Sequence, residues 1–447
     1  MTSGRRAADL GVPLLCAVQF VDVLGVTSAT TAIPAMVAEL AAGPAVVVAL
    51  ATAYAAIFGG FLVVGSRLGD RYGSRRVLLL GLVLFAGVSV LGGTAATAVQ
   101  LVAARALQGL AAAVSIPSAL SLLLHLTPDP RRRTTAIAAW SAAGAAAGAA
   151  GFLLGGLLTD GWSWRAIFWI NVPVGLALAV LIAWLVAPVR ATAPTARLDG
   201  AGSVLLVSAV VALVAGAALC ERSATRPAGV AVVLLGAALV AVFVAHQRRA
   251  TDPLVPARAA RVPTLRAGAG LSFVNTATTS ASSVLLTLHL QERLGASPTE
   301  AGLRLLPLSL AVVAGSAVAR PLTRRLTAAD VAGVGLLAVA AANGSLALLH
   351  DSRPAVSAGV VLMGIGLGIV SVAATRIGTT VPEPLASTAS GIVNAAAQVG
   401  TALGTAAFLM VAALPGSAGT GAALAWAAIA ALALATAAGC RRLGPLA

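Results

Sequence analysis

The chain contains no lysine: all 29 of its basic residues are arginine, set against 14 aspartates and glutamates. A phosphate-binding loop ending Gly-Lys-Ser/Thr is therefore impossible, which excludes transport powered by that kind of ATP site. Charge of either sign is scarce. Only 10% of the residues carry it, where a soluble protein needs roughly 25% to cover its surface. The three cysteines, Cys16, Cys220 and Cys440, stand far apart in apolar surroundings. They have neither metal-ligand spacing nor an even count for pairing, so no metal is expected. The four histidines, His125, His246, His289 and His350, fall near the ends of apolar runs. No His-Glu-x-x-His pair, paired carboxylates or Ser/His arrangement lies within those runs, which leaves a membrane-embedded enzyme without a site.

What the chain does have is apolar length. It is 59% hydrophobic, in repeated runs of about twenty residues, the length that crosses a bilayer as a helix. Fourteen spans are expected. The first six cover 11–34, 45–65, 77–96, 99–125, 134–158 and 166–188. Two more cover 201–219 and 228–246, and the last six cover 267–290, 301–323, 331–349, 355–376, 389–414 and 421–439. The resulting organisation is an N-terminal six-helix bundle (1–188), a linker with two inserted transmembrane helices (189–266) and a C-terminal six-helix bundle (267–447). Arg5-Arg6 ahead of an apolar run has the look of a signal peptide, but the run continues too far and reads as a retained first helix.

Arginine placement orients the chain. With an even number of spans, 22 of the 29 arginines fall on the side of the N-terminus, six on the other, and Arg105 within a helix. By the positive-inside rule both termini are cytoplasmic. The same distribution accounts for the net charge of +15 through anionic lipid rather than nucleic acid. Arginine without lysine, with abundant Ala, Gly and Val, matches a GC-rich bacterial genome. No arginine is therefore read as a selected binder on its identity alone.

Asp22 is the one acid within an apolar run long enough to span. A charge there costs at least a few kcal/mol, so it marks a proton, ion or substrate pathway. The plainer alternative is a carboxylate satisfied by neighbouring hydroxyls such as Thr27. Arg105 lies about 10 Å into the fourth span, at 1.5 Å per residue. It is either functional or snorkelling on its long stem. The loop after the second span holds Gly69, Asp70, Arg71, Gly73, Arg75 and Arg76. Its glycines permit a tight turn, and its charges can hold one conformation closed; an ordinary positive-inside loop is the alternative. In the fifth span Gly148, Gly151, Gly155 and Gly156 recur at helical spacing that lets helices approach closely.

The Gly-Asp-Arg-Gly-Arg spacing of that loop resembles the most widespread motif of the major facilitator superfamily, with Ser66 and Ser74 as small departures. Leu101, Arg105, Gln108, Gly109 and Ala113 resemble a helix-four motif of its drug:proton antiporters. Trp164 to Gly175, Leu198-Asp199-Gly200, Asp252 to Pro256, Gln291 to Pro307, and Ser390 to Asn394 with Gln398, Gly400 and Gly404 resemble the fourteen-helix branch. Together these matches cover nearly the whole chain. The resemblance implies an all-α integral membrane protein of the major facilitator fold: two six-helix bundles plus two inserted helices. It also implies proton coupling through Arg105 and alternating access. Two positions depart. Phe152 stands where the exporters' fifth helix has proline. Gly25 stands where helix one has its aspartate, three residues beyond Asp22.

These readings point to a secondary transporter that expels a small amphipathic drug or metabolite in exchange for protons. It would need the proton gradient but no organic cofactor, and would work as a monomer in the cytoplasmic membrane. Asp22 and Arg105 are the expected coupling pair. Gln19, Gln108, Asn275, Thr279, Asn394 and Gln398 are candidate substrate contacts, each of which can instead serve as an interhelical hydrogen bond. Helix thirteen carries no acid and aromatics are only 4% of the chain, which disfavours a dication site. Phe152 leaves proton-symport or facilitated uptake as the alternative.

Overall fold

The computed structural model describes residues 2–189, 191, 198–220, 225–414 and 420–441. Arg190, Arg197, Arg222 and Arg442, counted among the arginines above, lie outside them. Apolar runs that cannot offer backbone groups to water must satisfy them within a helix, and helices account for nearly all of the described chain. The first bundle comprises α1 (Thr2–Glu39), α2 (Pro44–Tyr72), α3 (Ser74–Gly93), α4 (Ala98–Leu126), α5 (Pro130–Gly161), a single turn α6 (Ala166–Trp169) and α7 (Asn171–Leu185). The inserted pair is α8 (Gly200–Leu219) and α9 (Arg226–Arg249). After a short α10 (Ala257–Ala260), the second bundle comprises α11 (Pro263–Leu288), α12 (Pro298–Leu322), α13 (Ala328–Leu349), α14 (Arg353–Thr379), α15 (Ala386–Ala412) and α16 (Thr420–Cys440).

The starts of the helices are written locally. Proline occupies the first turn of α2, α5, α9, α11, α12 and α14, where its missing N–H costs nothing. Asp129 and Thr327 accept from the backbone of the first turns they precede, and Ser297 with Glu300 forms a reciprocal capping box.

Some expectations need correction. The first helix does not stop at Pro34 but continues to Glu39, with both Pro13 and Pro34 inside it; packed neighbours in a membrane bundle tolerate such prolines. The junction after the second span is hardly a loop. α2 runs to Tyr72 and α3 begins at Ser74, so the motif occupies two helix ends hinged on Gly73, whose φ of +91° favours glycine. The sixth span is broken at Ile170.

Thirteen helices among the described residues are long and apolar enough to cross a bilayer, counting α6 and α7 as one. The fourteenth, α11, is more polar. Ser272, Asn275, Thr278, Thr279, Ser282, Ser283 and Thr287 are all buried on it. Thr278, Thr279, Ser283 and Thr287 donate to carbonyls one turn back at 2.7–2.9 Å. Their polarity is satisfied inside the helix, so it can be buried among neighbours.

The two bundles repeat one packing plan. α1 packs on α5, α2 on α4, and α3 on α4 and α7; α11 packs on α15, α12 on α14, and α13 on α14 and α16. The bundles meet along two seams, α5 against α12 and α2 against α15, and α8 lies against both α2 and α15. The meeting is confined to one end. Away from the arginine-rich end, a continuous apolar core joins Ile33, Met36 and Val48 of the first bundle to Leu285, Leu286 and Trp426 of the second. There Gln291 Nε2 donates to the Thr31 carbonyl at 2.8 Å, and the Thr299 N–H donates to Asp160 Oδ2 at 2.9 Å. Toward the arginine-rich end the cores are separate, one around Leu82 and Leu122 and one around Val331 and Val370. In that half of α5, residues 131–142 are exposed on nearly every side, whereas 147–149, 151 and 152 are buried. The bundles therefore enclose a cleft that opens at the arginine-rich end.

Candidate functional site

Three charged or polar side chains from three helices converge in the first bundle. The Tyr54 hydroxyl of α2 donates to Asp22 Oδ1 of α1 at 2.5 Å. The Arg105 guanidinium of α4 lies over the Tyr54 ring, 5.1 Å from its centroid. Gly109, one turn along from Arg105, packs directly on the Tyr54 carbonyl; a side chain there would push α4 off α2 and lift the cation from the ring. Arg105 Nη1 donates to Gln108 Oε1 at 3.0 Å and to the Gly25 carbonyl at 3.5 Å. Gln108 Nε2 passes the chain on to Ser89 Oγ at 3.0 Å, and Ser89 to the Phe85 carbonyl at 2.7 Å.

Burial separates the roles. Arg105 is 5% exposed and Gln108 1%, so the arginine does not snorkel: its charge stays inside the bundle. Asp22 is partly exposed, so unlike Arg105 it is not sealed inside the bundle. A cation this deep is sustained only by an opposite charge and by hydrogen bonds. Asp22, Tyr54, Gln108 and the Gly25 carbonyl supply both. The result is a partly exposed carboxylate with a fixed cation set beyond the phenol that donates to it. Such a group can take up a proton from the cleft and release it when the balance of charge and solvation changes.

Tyr54 did not figure among the sequence-derived candidates. The available signal was its rarity: the chain has two tyrosines, and the other, Tyr72, ends α2. Thr27 does not touch Asp22. Its hydroxyl donates to the Val23 carbonyl at 2.9 Å, with longer contacts to those of Leu24 and Ala147. Of the expected substrate contacts, Gln108 is consumed by the network above. Asn275 and Thr279 are buried within the second bundle, Asn275 donating to the Leu367 carbonyl and Ser371 Oγ. Gln108 and Asn275 hold helices together, while Thr279 donates to the Asn275 carbonyl of its own helix. Gln19 is partly exposed and its Oε1 has no partner; Gln398 is partly exposed beside Gly59 of α2; Asn394 is exposed. These three are compatible with a cleft lining.

The four glycines of α5 divide between two tasks. Gly151 and Gly155 press on α1 at Leu24, Thr27, Ser28 and Thr31, while Gly148 and Gly156 press on α12 at Ser309, Pro298 and Thr299. Gly302 of α12 returns the contact on the Phe152 carbonyl. They thus serve both the inner packing of one bundle and the seam between the two.

At the arginine-rich end the motif is built into a larger polar knot. Arg75 donates to the Ala183 carbonyl of α7, and Arg71 lies over the Tyr72 ring. Gly69 packs close to Ser118 and Ser74, and Arg76 is exposed. Arg67 reaches the Asp252 and Pro253 carbonyls at 2.8 and 2.7 Å and pairs with the Asp252 carboxylate at 3.4 Å. That segment is in turn fixed to Asp199 at the start of α8. Asp199 accepts from His246 Nε2, Gln247 Nε2 and the N–H groups of Gly202 and Leu254 at 2.7–3.3 Å. Burial favours its neutral form, but the hydrogen bonds from His246, Gln247 and Gly202 outweigh burial and hold the carboxyl below its ordinary value of 3.8.

Comparison with known proteins agrees with this architecture. The model of the Major Facilitator Superfamily matches residues 15–244 and 268–443. A cephamycin export protein of Amycolatopsis lactamdurans is 35% identical over 426 residues, covering 92% of this chain and 86% of its own. A puromycin resistance protein of Streptomyces alboniger is 34% identical over 408 residues, 89% of this chain and 80% of its own. Among solved structures, a peptide transporter in complex with sulfate superposes with a TM-score of 0.73 over 98% of this chain and 95% of its own, at 16% identity.

Proposed function

The chain belongs to the major facilitator superfamily, and from that premise we propose that it exports a small amphipathic compound in exchange for protons. As a member of that superfamily it is a multi-pass membrane transporter and not an enzyme. It resides in the bacterial cytoplasmic membrane with its arginine-rich end and both termini inside. The form described is the inward-open one, its cleft facing the cytoplasm. The cargo is a drug or secondary metabolite, the class named for its export and resistance relatives.

The observation that supports this reading is the Asp22–Tyr54–Arg105 group in a molecule whose two cores join at one end and stand apart at the arginine-rich end. In the proposed cycle, Asp22 arrives protonated from outside and releases its proton to the cytoplasm. It then stands ionised against Arg105 while the cargo enters among Gln19, Asn394 and Gln398. Closure of the inner end requires the α5–α12 and α2–α15 contacts to migrate toward the arginine-rich end, where Gly69, Asp70, Arg71, Gly73, Arg75 and Arg76 form the switch. The energy comes from the proton gradient alone, one protein molecule at a time.

Inside-out vesicles test it, with puromycin and a cephem antibiotic as cargo. Accumulation driven by an acidic interior, with alkalinisation of that interior on cargo addition, is the expected result. Accumulation only under the opposite gradient would establish uptake by symport and overturn the exporter.

A further inference from the structure

We infer that Tyr54 is the positioning residue that passes the charge state of Asp22 to the contact between the bundles, with α2 as the lever. This rests on the proton-exchange reading of Asp22. One helix carries the whole connection. Tyr54 donates to Asp22 of α1. Five residues on, Gly59 presses on Ala395, Gln398 and Val399 of α15, so the same helix forms one of the two seams. At its inner end Arg67 grips Asp252 and Pro253, in the segment that leads to the second bundle.

The chemistry gives the lever two settings. When Asp22 is ionised, the phenol donates a charge-assisted hydrogen bond, about twice as strong as a neutral one, and α2 is held to α1. When the carboxylate takes a proton from cleft water, the phenol keeps its own proton but faces a neutral acid. The bond weakens, and the Arg105 cation over the ring loses the anion beyond it. α2 is then free to shift against α1. Because Gly59 touches α15 without an intervening side chain, a shift of α2 is a shift of the seam. Phe58 meets Tyr54 edge-on at 5.7 Å between centroids, so the ring itself stays packed when the hydroxyl is lost.

The test is Tyr54→Phe in the full chain, reconstituted in proteoliposomes, with Tyr72→Phe as control. Spin labels at Ala139 of α5 and Val318 of α12, both exposed on the open half of their helices, report the width of the cleft after Cys16, Cys220 and Cys440 are replaced by alanine. In the parent chain the distance distribution should differ between pH 5.5 and 8. In Tyr54→Phe it should be the same at both, with cargo affinity kept and exchange down about tenfold, the worth of one charge-assisted bond. Asp22→Asn should show the same pH-independent distance distribution, and adding Tyr54→Phe to it should change neither that distribution nor cargo affinity, because the hydroxyl acts through that carboxylate; a merely structural tyrosine would alter them. A Phe variant that opens and closes with pH as the parent does overturns the inference alone. A parent chain without cargo-driven proton movement overturns the exchange reading and this inference together.

Discussion

The two bundles share a frame and differ in what it holds. In the first, Gly151 of α5 presses on α1 at Leu24 and Gly155 at Ser28; in the second, Gly400 of α15 presses on α11 at Phe273 and Gly404 at Ala277. Gly109 of α4 rests on the Tyr54 carbonyl of α2, and Gly364 of α14 rests on the Leu308 carbonyl of α12. Counting along the helices from these crossings, Asp22 corresponds to Leu271, Tyr54 to Leu308 and Arg105 to Val360. All three counterparts are buried apolar residues. Close helix packing is thus a property of the frame, carried twice by glycine. The charge is a property of one half only. A buried ion pair is not needed to build such a bundle, since the second half dispenses with it and stays closely packed, as expected if hydrophobic replacements of buried ions are tolerated or favourable.

Exchange the contents and the halves should respond unequally. The largest effect is expected at Asp22. Asp22→Asn should reduce cargo-driven proton movement to background in vesicles, with membrane insertion unchanged, whereas Leu271→Asn should impair folding before it alters coupling. Next is Arg105→Lys. Lysine keeps the charge but loses the planar guanidinium that lies over the Tyr54 ring and whose Nη1 reaches Gln108 and Gly25, so exchange should fall by tenfold or more at full expression. Val360→Ala, its counterpart, should cost about 1–3 kcal/mol of stability and leave the cargo turned over by each folded molecule unchanged. Full coupling in Arg105→Lys would show that only its charge matters.

Smaller effects belong to the periphery. Asp199→Ala should lower thermal stability by about 1–3 kcal/mol, because His246, Gln247 and two backbone N–H groups lose their acceptor. The carboxyl is held below its ordinary value when folded. Its contribution is therefore present above its ordinary value of 3.8 and is lost as the pH falls through the lower folded value; melting curves from pH 7 downward should show the variant's deficit in full at pH 7 and shrinking once the pH passes below 3.8. The smallest effect is expected from the paired threonines. Thr27 and Thr276 each bond carbonyls on their own helix and one on the crossing helix. Thr27→Val and Thr276→Val should each change exchange by no more than about threefold, and alike, as interhelical bonds average about 0.6 kcal/mol. A large loss in Thr27→Val alone would bring it into the proton site.

The frame was legible because a bilayer accepts few backbones: apolar run length and breakers marked each span, α11 included despite its hydroxyls. The helix ends were less so. Pro34 reads as a stop in water but lies inside α1, and the motif after the second span reads as a loop because glycines and charges cluster there. Asp22 and Arg105 stood out by cost, since a charge in an apolar run is conspicuous. Tyr54 did not, because a phenol is amphipathic and only the crossing at Gly109 sets its ring beneath the guanidinium. The roles of Gln108 and Asn275 were hidden for the same reason. An amide's periodicity is the same whether it faces a cleft or a neighbouring helix.

The hairpin of α8 and α9 lies along only one of the two flanks where the halves join. Lipid therefore meets the α5–α12 flank directly, but reaches the α2–α15 flank only past the hairpin.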